Sequence, residues 1–175
     1  MLCLLSMALI TSCHRPFDNK TNVLKVDTLQ RLVNIIDQTL VLNEDTITKR
    51  NDSMTIKLSM IRSLYKDTTD GEIKAAIIRY AGIQAIYIDF LKNYPIMEMD
   101  EESHKKQVAQ IKDQVLAQKI SQEAFDKVFS QEKAQLAALN QKAKTITYNT
   151  ITVEEDYLRN DPTITHLYKK LKNNR

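Results

Sequence analysis

Between Ile73 and Tyr94 the chain reads IKAAIIRYAGIQAIYIDFLKNY, and this stretch limits what the rest can become. At 3.6 residues per turn, Ile73, Ile77, Tyr80, Tyr87, Leu91 and Tyr94 fall on one helical face, with Lys74, Arg79, Asp89, Lys92 and Asn93 gathered opposite. Such a segment belongs inside a packed bundle. It is not a membrane span, which needs about 20 mostly apolar residues in a row.

The remaining composition points the same way. Only two glycines and three prolines occur in 175 residues, so tight turns are scarce. Ala, Gln, Lys, Glu, Leu and Ile dominate, and most of these favour helices. An all-α domain follows, with 43% apolar residues to supply one core. The balance of 25 basic against 22 acidic residues gives a net charge of +3, too even to imply nucleic acid as a partner. Cys3 and Cys13 both lie in the first thirteen residues, so no disulfide framework is expected.

Residues 1–12, MLCLLSMALITS, carry no charge. The run is too short to span a membrane as a helix and has the length of the apolar region of a signal peptide. It ends at Ile10-Thr11-Ser12-Cys13, which resembles the lipobox of bacterial lipoproteins: an aliphatic residue, two small ones, then cysteine. No Lys or Arg precedes the run. The resemblance implies cleavage before Cys13, diacylglycerol on its thiol and acylation of the new amine. Three chains anchor firmly, because each buried methylene contributes about 0.8 kcal/mol and a single chain holds only marginally. Residues 13–21 then read as a lipidated tether and 22–172 as the folded domain.

Along that domain, Leu29, Leu32, Val33, Ile36 and Leu40 predict a first helix from about Val23 to about Leu42. Asn43 or Asp45 is expected to cap a second, which carries Ile47, Met54, Leu58, Ile61 and Tyr65. Residues 67–71, DTTDG, predict a loop, with Asp70 capping the central helix. Pro95 predicts that this helix stops at Asn93 or Tyr94. A fourth helix should open at Asp100-Glu101-Glu102, and a fifth at Ser121. Thr145 to Thr152, TITYNTIT, is read as the end of the fifth helix and a connector. Asp161-Pro162 then predicts the start of a short last helix. The expected fold is all-α: an elongated antiparallel, coiled-coil-like bundle of four to five main helices plus a short C-terminal one.

The segments VDTLQRLV, SLYKDTT, FLKNYP, KISQEAFDKVFSQEKAQL and NDPTITHLYKKL give this region a likeness to small, uncharacterised all-helical lipoproteins of Gram-negative envelopes. That resemblance implies an address in the cell envelope, lipid-anchored to the outer membrane, and no activity or ligand.

Little in the sequence carries chemistry. His14, His104 and His166 stand in unrelated segments, so neither a zinc set nor a helical di-iron set is expected. His104 reads as a packing residue. Glu98, Asp100, Glu101 and Glu102 crowd an expected helix start, where carboxylates favour the dipole, rather than a cleft that would make a general acid. With only Gly71 and Gly82 in the chain, a glycine-rich phosphate loop cannot form. No enzyme, metal or cofactor is expected. Tyr80, Tyr87 and Tyr94 recur every seven residues, as packing residues or as the edge of a groove. Gln84 falls within the apolar face, where its amide either fixes helix register or joins such a groove. The expectation is a non-catalytic module for an envelope protein partner. The alternative is a small-molecule or peptide binder using Tyr80, Gln84, Tyr87 and Tyr94.

Overall fold

A computed structural model describes residues 17–65 and 70–173, and four helices account for nearly all of them. No strand occurs among the described residues. The lipobox and Cys13 lie outside them.

Asp18 starts α1, Asn19–Thr39, by accepting from the Thr21 amide at 3.1 Å. The helix thus begins before Val23, and residues 19–21, expected in the tether, form its first turn. It ends at Thr39 rather than Leu42. Asn43 opens α2, Glu44–Leu64, accepting from the Thr46 amide at 2.8 Å. Asp70 caps α3, Gly71–Leu116, through the amides of Glu72 and Ile73.

Two predicted breaks are absent. The chain continues as helix through Pro95, so the central and fourth helices are one element of 46 residues. Proline removes one backbone bond and crowds the preceding turn, but here the packing pattern outweighs it. Ala76, Tyr80, Ile83, Tyr87, Phe90, Tyr94, Met97, Glu101, His104, Val108, Ile111 and Val115 follow at alternating spacings of four and three, with no change of phase at the proline. The fifth helix, the expected connector and the last short helix are likewise one element, α4, Gln122–Asn173, with Pro162 inside it. The β-branched run fits because the hydroxyls of Thr145, Thr150 and Thr152 donate to carbonyls one turn back. Asp161 is no cap.

The α3–α4 turn is compact. Lys119 N–H donates to the Gln114 carbonyl and Gln118 N–H to that of Val115, a Schellman closure with Gln118 at φ 52°. Ser121 then accepts from the Ala124 amide at 3.3 Å.

In cross-section there are three helical runs. Lys25–Asp126 and Lys57–Asp161 join α1 and α2 to successive parts of α4, all advancing in one direction. Lys112–Asp27 and Gln84–Thr55 show α3 returning in the other. α1 and α2 each pack on both long helices and not on one another. They form one interrupted run, and Val26, Val33, Leu40, Ile47, Met54 and Ile61 keep a seven-residue spacing across the break. Tyr94 of α3 donates to the Leu40 carbonyl at 2.7 Å and Thr147 of α4 to that of Thr39 at 3.2 Å. Two orphan carbonyls at the end of α1 are thereby satisfied.

Candidate functional site

The heptad spacing that builds α3 sends Tyr80 and Tyr87 into the core, where both rings are fully buried. A phenol there needs a partner. Tyr80 donates to Asp161, whose carboxylate also takes Lys57 Nζ at 2.6 Å and the Thr165 hydroxyl at 3.2 Å. Tyr87 donates to Glu154 Oε2 at 3.3 Å, and Glu154 is paired with Arg50. Between the two pairs lies the Tyr157 ring, 6.2 Å from Tyr80 and 6.0 Å from Tyr87 between centroids. The Arg50 guanidinium sits over it at 5.1 Å.

The electrostatics follow from this geometry. Burial, then the facing Asp161 carboxylate, raise the Tyr80 phenol far above its ordinary value. Burial and Glu154 raise that of Tyr87, against the pull of Arg50. Tyr94, nearer the middle of the rod, is pushed up to about 12 by burial and by Glu98. For Asp161, burial alone acts upward; bonds from Lys57, Tyr80 and Thr165 outweigh it and hold the carboxyl below its ordinary value.

The structure therefore brings Tyr80 and Tyr87 into one network, and places Tyr94 apart from it at the α1–α2 break. Gln84 lies at the edge of the core, where its Nε2 donates to the Thr55 hydroxyl of α2 at 2.7 Å. That bond ties α3 to α2. The rings that a groove would present to a ligand are buried, those of Tyr80 and Tyr87 against Tyr157 of α4 and that of Tyr94 against Phe90.

Other groups emerge only in three dimensions. Glu132 is fully buried, with Oε1 2.7 Å from His104 Nδ1 and Oε2 without a partner among the described residues. Glu101, placed at a helix start by the sequence, is buried in mid-α3 with Oε1 unpartnered. Burial raises its carboxyl, partly offset by Lys105. No single-residue motif marks either; their signal is position, since both interrupt the apolar seams of their helices. Among the described residues, no group of three or more His, Cys, Asp or Glu could hold a metal, and no helix is long and apolar enough to cross a membrane.

Two open clefts flank the α1–α2 break. One, of about 550 Å³, is walled by Thr39, Gln141 and Tyr148. The other, of about 420 Å³, lies between Leu42 and Ile47 on one side and Ile151 and Glu154 on the other, with Arg50 at its edge. Beside them Val41, Tyr148 and Ile151 are exposed. Comparison of the chain with protein-family models, with curated proteins and with solved structures finds no match.

Proposed function

We propose that this chain is an envelope lipoprotein, held at the outer membrane by lipid on Cys13, whose helices form an elongated, antiparallel, coiled-coil-like module that binds a protein partner without catalysis. The address rests on the apolar run ending at Ile10-Thr11-Ser12-Cys13. The observation that carries the binding role is where the polar and apolar groups lie. Tyrosines, carboxylates and cations converge inside the bundle and are bonded to one another, whereas large apolar side chains stand exposed on the outer helical faces. Where such side chains fall together, uncovered apolar surface is a mark of an interaction face; single exposed ones are ordinary.

A second reading has its own observation. The cleft edged by Arg50 and Glu154 reaches the outer side of the tyrosine network, so a small ligand or peptide with a charged group would meet an ion pair there.

Mass spectrometry of the mature chain tests the address. Acyl chains on an N-terminal Cys13 are expected, and Cys13→Ala should leave an unprocessed precursor. A mature chain that starts elsewhere without fatty acid removes the proposal. Crosslinking in the intact envelope should capture a stoichiometric protein partner. Saturable binding of a small ligand, lost in Arg50→Ala, would select the second reading.

A further inference from the structure

α3 is the most apolar of the four helices and the least one-sided. Its inner seam is buried. On the opposite side, Ile78, Ala81, Ala85, Ile88 and Met99 repeat the spacings of a heptad, with Ile96 beside them. This second stripe faces outward except at Ala81, which is half-buried against the core, with Ile78 62% exposed, Ile88 51%, Ile96 47% and Met99 74%. Lys74 bounds it at one end and Ser103 and Lys106 at the other, leaving a face about 33 Å long. A helix apolar on both sides is ordinarily covered on both.

We propose that this outer face of α3 is a self-association surface, on which a second copy of the chain lies antiparallel with a two-fold axis close to Ile88. This rests on the reading of the chain as a protein-binding module and names the partner. Size and charge along the stripe favour that occupant. Turning the stripe end for end about Ile88 sets Ile78 against Met99 of the second copy, Ala81 against Ile96, and Ala85 against the stem of Lys92. Small residues thus meet large ones at Ala81 and Ala85, while Ile78 meets Met99 and Ile88 faces its own copy as larger apolar pairs. Asp89 and Lys92 are exposed on the same face, and the antiparallel arrangement brings Lys92 of each copy toward Asp89 of the other. A parallel pair would stack like charges, Lys92 on Lys92 and Asp89 on Asp89. A lipid surface would have to take up both Asp89 and Lys92 without the complementary pairing that a second copy supplies.

Gly82 adds an independent point. Glycine weakens a helix interior relative to alanine, and here a Cβ would meet nothing within 4 Å. Its own fold gives no reason for it. Close approach of a neighbouring helix beside Ala81 and Ala85 does.

The test uses the purified full chain in mild detergent, with Cys3 and Cys13 replaced by serine and one cysteine added at a time. Ile88→Cys should join to itself through a short bis-maleimide. Ile78→Cys and Met99→Cys should join each other when mixed, and neither should join to itself. Ile88→Glu, at an exposed position, should keep its helical signal yet lower Ile78–Met99 crosslinking at least tenfold. Ile88→Cys remaining monomeric at about 100 μM overturns the proposal, as does equal crosslinking of every combination. Binding to phosphatidylglycerol vesicles that Ile88→Glu abolishes, with no crosslinked dimer, overturns it in favour of a lipid surface. A different protein captured at Ile88 in the envelope overturns it and leaves the general binding role standing. Acylation of Cys13 is read on the wild-type chain, so its failure would remove the membrane address without touching the dimer.

Discussion

Asp161 accepts from Tyr80, Lys57 and Thr165, and so connects all three helical runs at one level. Asp161→Asn should destabilise the chain by about 2–3 kcal/mol in urea unfolding, because it leaves a mostly buried lysine unpaired. The pH dependence has a definite sign. The folded carboxyl lies below its unfolded value of 3.8, so its contribution is present above that pH and is lost as pH falls toward the folded value. The gap in urea midpoint between wild type and Asp161→Asn should therefore narrow below pH 4. At the alkaline side Tyr80, Tyr87 and Tyr94 act oppositely. Their folded values are raised, so stability holds below about pH 10 and declines above it as unfolded phenols ionise. The strained residue is elsewhere. Gln118 occupies the left-handed position that glycine fills most easily, and Gln118→Gly should stabilise by about 1 kcal/mol in the same assay. The caps Asn43, Asp70 and Ser121 were legible because capping depends on neighbours a few residues away. Asp161 was not, since Asp-Pro carries the same local signal whether it starts a helix or sits inside one with its carboxylate turned to another.

Pro95 and Pro162 show how local and nonlocal signals compete within an element. Read locally, Pro95 ends a helix and Pro162 opens one; read with the seam, neither interrupts its helix. Phe125, Phe129, Glu132, Leu136, Leu139, Ala143, Ile146, Thr150, Val153, Tyr157, Asn160, Ile164 and Leu167 alternate by four and three straight past the predicted connector. Each turn of that seam buries side chains, and a fully buried aliphatic or aromatic one contributes about 1.5–3 kcal/mol. Together they exceed the roughly 3 kcal/mol that a proline costs inside a helix. The all-helical class was legible from composition and from single amphipathic faces. The continuity of α3 and α4 was not, because it depends on phase kept over many turns and on polar residues, Glu132 and Asn160, that disguise seam positions. The same balance gives a measurable consequence. Pro95→Ala should restore the missing backbone donor and raise stability by about 1–3 kcal/mol, seen as a higher urea midpoint with an unchanged slope. A lowered midpoint would mean that the proline ring itself packs the middle of the rod.

For the whole molecule, what matters is the end at which an anchor would lie. Asp18 N–H donates to Gln122 at 3.2 Å, so the chain enters the fold beside the α3–α4 turn, at one end of the bundle. With α3 46 residues long, the far end lies about 70 Å away. A single copy tied to lipid through residues just before this point is fastened only at that end and is free to stand away from the bilayer. An antiparallel pair about Ile88 is fastened at both ends, because the two entry points fall on opposite ends of the dimer. Both anchors then reach one bilayer only if the rods lie along it. Neutron reflectometry on a supported bilayer carrying the acylated chain separates the two cases. The dimer should give a protein layer about 20 Å thick, the width of helices packed at 8–10 Å spacing. Acylated Ile88→Glu, monomeric at the same surface density, should thicken that layer toward 70 Å. A thick layer from the wild-type chain would exclude the flat, doubly anchored pair whatever crosslinks form in detergent.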